Sequence, residues 1–396
     1  MHLAQRLNSI TEPQTIKMAK MSRELKARGV NIIDLSLGEP DFRTPEHICN
    51  AAIKAMADGF TKYAPVAGFP DLLAAISAKL KRDNNLDYAP NEIIVSTGAK
   101  QSLANAVLSI VDPGDEVIIP TPYWVTYSSL VQLAGGKITY IPCSIENDFK
   151  LLPEQLEAVI SERTRLFMFS SPCNPTGSVY SKAELAALVE VFKRYPRTVI
   201  ISDEIYEYIN YKGHHESIAQ FTEIRDNVVV INGMSKGFAM TGWRLGYMAA
   251  PRELVASCDK LQAQFTSAAC SITQKASVAA LTSDLGPTYK MVEGFKERRD
   301  FIIPALKNIP GVKCNNPEGA FYAFPDISSF FGKSYGDYHI NNDDDLSMYL
   351  LNEAHVATVC GTAFGDSDCI RISFANSMPN LVEAMQRIAE ALGKLA

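Results

Sequence analysis

The chain has 396 residues, 47% of them hydrophobic and 21% charged, with a formal net charge of −6 at pH 7. That length accommodates a large core and commonly two domains, while the mildly acidic, evenly scattered charge excludes the basic footprint of a nucleic-acid or anionic-membrane binder. Small-molecule chemistry is the class that is left. Residues 1–8 lack the apolar stretch and small-residue cleavage site of a secretion signal, and no apolar run is long enough to span a bilayer, so the chain reads as cytoplasmic. The eight cysteines are dispersed, with neither Cys-x-x-Cys nor finger-like Cys/His spacing, and read as reduced core thiols rather than metal ligands.

In chain order, Thr44-Pro45-Glu46 predicts a helix with Thr44 as N-cap and proline at its first position, running to Gly59. Short apolar runs bounded by turn residues follow at 92–97, 116–120, 137–142, 165–170, 197–202, 227–231 and 244–249. Helical patterns lie between several of them, at 100–111, 124–133 and 181–195. Seven strands alternating with helices imply an α/β fold with a mainly parallel sheet flanked by helices, whose sites gather at the carboxyl ends of the strands. After about Pro287 the pattern changes: a charged helix at 289–307 leads into a smaller α+β region, in which the acidic stretch 341–345 reads as a solvated connection.

Four strand ends carry unusual polar residues. Ser96-Thr-Gly-Ala-Lys-Gln101 opens a helix whose free backbone N–H groups suit a phosphate, although a capped tight turn has the same appearance. Ser170-Ser-Pro-Cys-Asn-Pro-Thr-Gly177 fixes Asn174 between two prolines, as a donor and acceptor or as a plain Asn-Pro turn. Ile200-Ile-Ser-Asp-Glu-Ile-Tyr206 ends a buried strand in Asp203, which is either a helix cap or a carboxylate that needs a cationic partner. In Asn232-Gly-Met-Ser-Lys-Gly-Phe-Ala-Met-Thr-Gly-Trp-Arg-Leu-Gly-Tyr247, Lys236 is the one lysine between Lys212 and Lys260. A lysine in packed surroundings is a candidate amine nucleophile, and the guanidinium of Arg244 suits a phosphate. One ligand uses all four features. Pyridoxal 5′-phosphate has an aldehyde for Lys236, a phosphate for Arg244 and the Gly98 turn, a ring nitrogen for Asp203, a phenolic oxygen for Asn174 and Tyr206, and a flat ring to stack on Trp124.

These segments, with Leu37-Gly-Glu-Pro-Asp-Phe42, Lys62-Tyr-Ala-Pro-Val-Ala-Gly68 and Arg371-Ile-Ser-Phe-Ala375, run in an order that resembles the fold-type I pyridoxal-phosphate aminotransferases of class I, in their bacterial aspartate aminotransferase branch. The resemblance implies that Lys236 is the Schiff-base lysine, that Asp203 keeps the ring nitrogen protonated, and that Tyr206 and Asn174 contact the ring oxygen. It implies Trp124 on the ring face, Gly98, Ala99, Ser235 and Arg244 at the phosphate, and Tyr63 lent by a neighbouring subunit of a homodimer with composite sites. Gly38 and Arg371 would bind the substrate α-carboxylate, with Trp124 and Asn174 beside it, and Lys100 would take the distal carboxylate of a dicarboxylic substrate.

Two positions depart from the family pattern. Gly233 stands where many relatives have a serine, and Glu12 stands near where relatives that use prephenate have a basic residue, although Lys17 lies close. The expected domains are 1–43 as part of a small domain, 44–287 as the large cofactor-binding domain, and 288–396 as the rest of the small one. The expected reaction is ping-pong transamination of L-aspartate and 2-oxoglutarate to oxaloacetate and L-glutamate. Transamination of other amino acids including prephenate/arogenate, and a pyridoxal-phosphate lyase on the same fold, are the alternatives. A regulator's effector module is a third class, against which the missing DNA-binding extension argues.

Overall fold

Apolar side chains turned to alternate faces build the centre of the protein. In this computed structural model residues 4–10 and 12–396 are described; residues 1–3 and 11, within the expected N-terminal segment, lie outside them. The strands Ile93–Ser96, Glu116–Thr121, Lys137–Pro142, Thr164–Ser170, Val199–Asp203, Val228–Gly233 and Gly246–Ala249 form one seven-stranded sheet. By chain position its order is first, seventh, sixth, fifth, fourth, second, third. The pairings are parallel except those of Gly246–Ala249, which runs antiparallel to both neighbours.

Both faces of this sheet are covered, which is why its central strands read as continuous apolar runs. Ile200, Val228 and Val230 point into a core shared with the helices Glu46–Ala57, Pro70–Asn84, Lys182–Phe192 and Ser271–Thr282. Ile201, Val229 and Ile231 point the other way, against Ala99–Ile110, Thr126–Ala134 and Arg252–Phe265. Each such side chain withdrawn from water contributes about 1.5–3 kcal/mol. Ser181 caps the helix Lys182–Phe192: its hydroxyl accepts from the Glu184 N–H, and the Glu184 carboxylate accepts from the Ser181 N–H at 2.7 Å.

A second core gathers residues from both ends of the chain. Ile33 and Leu35 pack with side chains from the helices Gly286–Lys307 and Met378–Gly393. The two-residue strand Ile33–Asp34 pairs in parallel with Val356–Ala357. Beside it Ile370–Ser373 runs antiparallel to Val359–Cys360 and to Tyr322–Ala323. The long helix begins at Gly286 rather than 289, with Pro287 in its first turn.

Several local expectations are corrected. Thr44 does not cap the helix, which spans Glu46–Ala57 with Pro45 at its N-cap. The Thr44 hydroxyl instead donates to the Ala239 carbonyl at 2.7 Å and accepts from the Trp243 indole at 3.0 Å, a long-range fastening that outcompetes the local cap. The helix expected at 124–133 spans Thr126–Ala134 and leaves Trp124 in the preceding loop. The strand expected from 244 starts at Gly246, because Arg244 takes the left-handed conformation with φ 54°. The acidic stretch 341–345 leaves Asn341, Asn342 and Asp344 exposed, as expected, but it starts a helix and is no mere connection: Asn342 caps the helix Asp343–Tyr349, and the buried Asp343 accepts from the Thr362 N–H at 2.6 Å and its hydroxyl at 2.9 Å.

At Gly246 the antiparallel strand passes against the turn at residues 98 and 99. A Cβ there would lie 2.5 Å from the Gly98 carbonyl carbon and 2.6 Å from the Ala99 Cα, both rigid backbone atoms. Gly246→Ala is expected to cost about 1–3 kcal/mol through overpacking, measured as a lower Tm of the otherwise unchanged chain.

Candidate active site

The parallel strands deliver their polar residues to one edge of the sheet because all of them end there. Ser96 leads into Gly98, Ala99 and Lys100; Thr121 into Trp124; Ser170 into Asn174; and Gly233 into Ser235 and Lys236. Asp203 is the last residue of its strand, in register with Ser170 and Ile231 of its neighbours. The antiparallel strand brings its amino end to the same edge, which is how Arg244 reaches the group although it precedes a strand.

A cavity of about 360 Å³ opens at this edge, lined by Gly38, Ala99, Lys100, Trp124, Asn174, Asp203, Tyr206, Ser235, Lys236, Arg244 and Arg371 among others. Gly98 lies directly behind it, with φ 84° and so little room that a Cβ would come within 2.9 Å of the Arg244 guanidinium carbon. Tyr63 is the sequence-derived site residue that this chain does not bring in: it is 96% exposed.

Asp203 is 3% exposed. The Tyr127 hydroxyl donates to it at 2.7 Å and the Ile205 N–H at 3.3 Å, both neutral donors. No cation pairs with it among the described residues. Burial pushes its carboxyl up to about 6, opposed by the Tyr127 hydrogen bond. The reading of Asp203 as a helix cap is excluded, since a turn and not a helix follows it.

Lys236 is half-buried, with the open part of its side chain on the cavity. Its ammonium donates to the Gly38 carbonyl and lies 5.8 Å from the centres of the Tyr206 and Phe321 rings. Burial lowers its pKa to about 8; Glu39 opposes the shift, and the positive charges of Arg371 and Arg244 add to it. A good share of this amine is therefore neutral in mildly alkaline solution.

Arg371 is 2% exposed yet carries a full charge into the interior. It donates to the Asn174 side-chain oxygen at 2.9 Å and the Ser36 carbonyl at 2.6 Å, and stacks 4.5 Å from the Tyr322 ring. Its Nε has no hydrogen-bond partner among the described residues. These are neutral contacts, so the guanidinium faces the cavity uncompensated and attracts an anion. With its oxygen committed to Arg371, Asn174 keeps its amide N–H groups for a ligand. Lys100, at the mouth, lies 4.9 Å over the Trp124 ring, and burial followed by Arg244 lowers its pKa.

Three contributors escaped the sequence. Tyr127 supports Asp203, Tyr322 shares a 2.7 Å hydroxyl contact with Tyr206, and Ser36 anchors Arg371. Tyr127 had a signal, a tyrosine one helical turn after Trp124. Tyr322 and Ser36 had none, because each acts on a residue over a hundred positions away.

The family profile described as aminotransferase class I and II matches residues 30–388. The chain is 46% identical to the aspartate/prephenate aminotransferase of Nitrosomonas europaea, covering 99% of this chain and 100% of that one. It is 47% identical to the bifunctional aspartate aminotransferase and glutamate/aspartate-prephenate aminotransferase of Petunia hybrida, over 98% of this chain and 82% of that one. The structure of the aspartate aminotransferase from Rhizobium meliloti superposes with a TM-score of 0.96 at 43% identity, covering all of both chains. That of Thermus thermophilus with maleate gives 0.93 at 37% identity, over 99% and 100%. The chain belongs to the class I and II aminotransferases, which are enzymes that depend on pyridoxal 5′-phosphate.

The residues present fit that cofactor. A carboxylate with no cationic partner, a lysine with a depressed pKa, an exposed guanidinium against a glycine turn at a helix start, and an aromatic ring at the wall match its ring nitrogen, aldehyde, phosphate and ring face. In the apoprotein, reductive methylation of Lys236 should rise with a midpoint near pH 8. Peptide mass spectrometry across a pH series reads it; a midpoint at the value of about 10.4 for a free lysine side chain would show that burial does not depress this amine.

Proposed function

We propose that this chain is an aspartate aminotransferase, converting L-aspartate and 2-oxoglutarate to oxaloacetate and L-glutamate in two half-reactions. The observation that carries the reading is the depressed Lys236 amine facing one cavity with a buried carboxylate and an uncompensated guanidinium. When bound, pyridoxal phosphate supplies an aldehyde that condenses with amines and a ring that withdraws electrons from the substrate α-carbon.

Asp203 would hold the ring nitrogen, Tyr206 and Asn174 the ring oxygen, and Trp124 the ring face. Gly98 and Ala99 at the helix start, Ser235 and Arg244 would hold the phosphate; Gly233 offers no hydroxyl there. Arg371 would bind the substrate α-carboxylate with Gly38 and Asn174 beside it. Lys236 Nζ would take the proton from the substrate Cα and hold it as an ammonium until it is given back. A neutral amine is needed for the first task and an ammonium for the second, and a pKa of about 8 makes both accessible.

Lys100 supports the choice of a dicarboxylate, since its ammonium and the Arg371 guanidinium line the same cavity. The Thermus relative described with maleate, a dicarboxylate, points the same way. Prephenate is a second reading, favoured by the names of the Nitrosomonas and Petunia relatives. From the N-terminal segment Pro13, Thr15 and Ile16 line the cavity, whereas Glu12 and Lys17 do not, so the segment contributes no cation to it among the described residues.

Residues 1–43 and 288–396 would form a small domain that closes on the large domain 44–287 over the substrate. Tyr63, exposed in the single chain, would complete the phosphate site as the partner subunit's Tyr63 in a homodimer. The free state of the eight cysteines supports a reducing compartment, the cytoplasm.

A panel of amino acids with 2-oxoglutarate should show aspartate and glutamate preferred over alanine and phenylalanine. Lys100→Ala should lose about 10- to 150-fold in kcat/KM for aspartate, the worth of one charged hydrogen bond of roughly 1.5–3 kcal/mol, and much less for alanine. Equal losses would assign Lys100 to fold support. Light scattering should report a dimer, and Tyr63→Phe should weaken cofactor binding without dissociating it; a fully active monomer would refute the composite site.

A further inference from the structure

The turn after the Val199–Asp203 strand faces two ways. Asp203, Ile205 and Tyr206 line the cavity, whereas Ser202, Glu204 and Glu207 do not and are buried. On that hidden side two acidic groups meet two basic ones. Glu207 pairs with Lys79, itself 0% exposed, and accepts from Asn84 at 3.0 Å; Lys79 also donates to the Asn84 oxygen at 2.7 Å. Glu204 accepts from the Ser202 and Ser217 hydroxyls at 2.9 and 2.6 Å through one oxygen, and its other oxygen lies 3.0 Å from His215 Nε2. The attraction between the two is chiefly coulombic, and neither ring nitrogen of His215 has an aligned hydrogen-bond partner among the described residues.

We propose that His215 is a positioning residue for the cofactor site: its ion pair with Glu204 anchors the 202–207 turn and cancels the negative charge next to Asp203, keeping Asp203 ionised for a ring cation. This rests on the assignment of Asp203 to the cofactor ring. Two anions on adjacent residues, both out of water, raise each other's proton affinity, and an imidazolium beside one of them relieves both. Without the histidine charge, Asp203 takes up a proton at a higher pH and loses the ring. Burial lowers the His215 pKa, but Glu204, with Glu207 adding to it, more than reverses this and it ends above the ordinary value. The charged groups facing it are Glu204, Glu207 and Lys79, while Tyr88 and Tyr247 stand near Glu204 with pKa values raised by burial. Because Lys79 is already matched by Glu207, Glu204 depends on His215.

The test is the affinity of the apoprotein for pyridoxal phosphate, measured by absorbance titration across a pH series. In the parent chain affinity should fall as pH drops through about 6, where Asp203 takes its proton. His215→Gln, which keeps a donor and loses the charge, should move that acid limb up by about 1 pH unit, a roughly tenfold weaker affinity on its slope. Glu204→Gln with His215→Gln should bring the limb back to the parent position or below, and Glu204→Gln alone should also lower it. A packing defect would make the double variant worse than either single one, so the direction of that step separates the two accounts. Asp203→Asn should abolish the limb. If it does and the limb stays in place in His215→Gln and Glu204→Gln, the role of His215 is refuted; if Asp203→Asn leaves affinity and limb intact, the assignment of Asp203 falls first and carries the inference with it.

Discussion

A carboxylate held out of water at the end of a central strand, with only neutral donors around it, is the constraint on which the rest of the site depends. Left alone it would take up a proton, and its pKa of about 6 shows how far burial has moved it. The fold keeps this unfavourable group because the sheet around it is rigid: Asp203 sits in register between two strands whose side chains are packed on both faces. A desolvated charge with a vacant side is a binding determinant for a cation, and its strength comes from the low dielectric that makes it costly. The pyridinium of the family cofactor is such a cation.

Around that anion the cations are arranged in depth. Lys236 lies near it and has lost part of its affinity for a proton, Arg371 is fully buried on neutral partners, and Arg244 and Lys100 stand at the exposed mouth. Mutual repulsion among these positive groups is part of the design, because each lowers the cost of admitting an anion. A molecule with a phosphate and substrates with carboxylates satisfy that demand, and the amine among them, its proton affinity lowered by burial, is neutral often enough to take up a proton near neutral pH. The same reasoning extends behind the strand, where Glu204 and Glu207 are each matched to one cation so that the Asp203 charge stands alone.

Much of the fold was legible in the sequence because secondary-structure period and burial coincide in it. Strands covered on both faces read as unbroken apolar runs, and all seven were found, with ends displaced by a residue or two. Most of the site was also legible, since the strand-end loops concentrate residues that have no local structural purpose: Lys236 in a lysine-free stretch, Asn174 between prolines, Asp203 after an apolar run. What was misread lay where local and distant interactions compete. Thr44 has the chemistry of an N-cap and is used instead as a distant hydrogen-bond partner of Ala239 and Trp243. The acidic stretch at 341–345 looks solvated until Thr362 supplies the donors that bury Asp343.

The sequence by itself determined which residue types exist to do chemistry and, through apolar periodicity, that they would gather on one sheet edge. It could not determine that the strand after Arg244 runs antiparallel, and that reversal is what brings a guanidinium preceding a strand to the edge where the other strands end. Nor could it reveal the pairings that set the electrostatics, such as Tyr127 on Asp203, Asn174 and Ser36 on Arg371, or Tyr322 on Tyr206. A proton affinity depends on distance and desolvation in three dimensions, and neither has any fixed relation to separation along the chain. Spacing therefore names the lysine, and only the packed structure makes it a base.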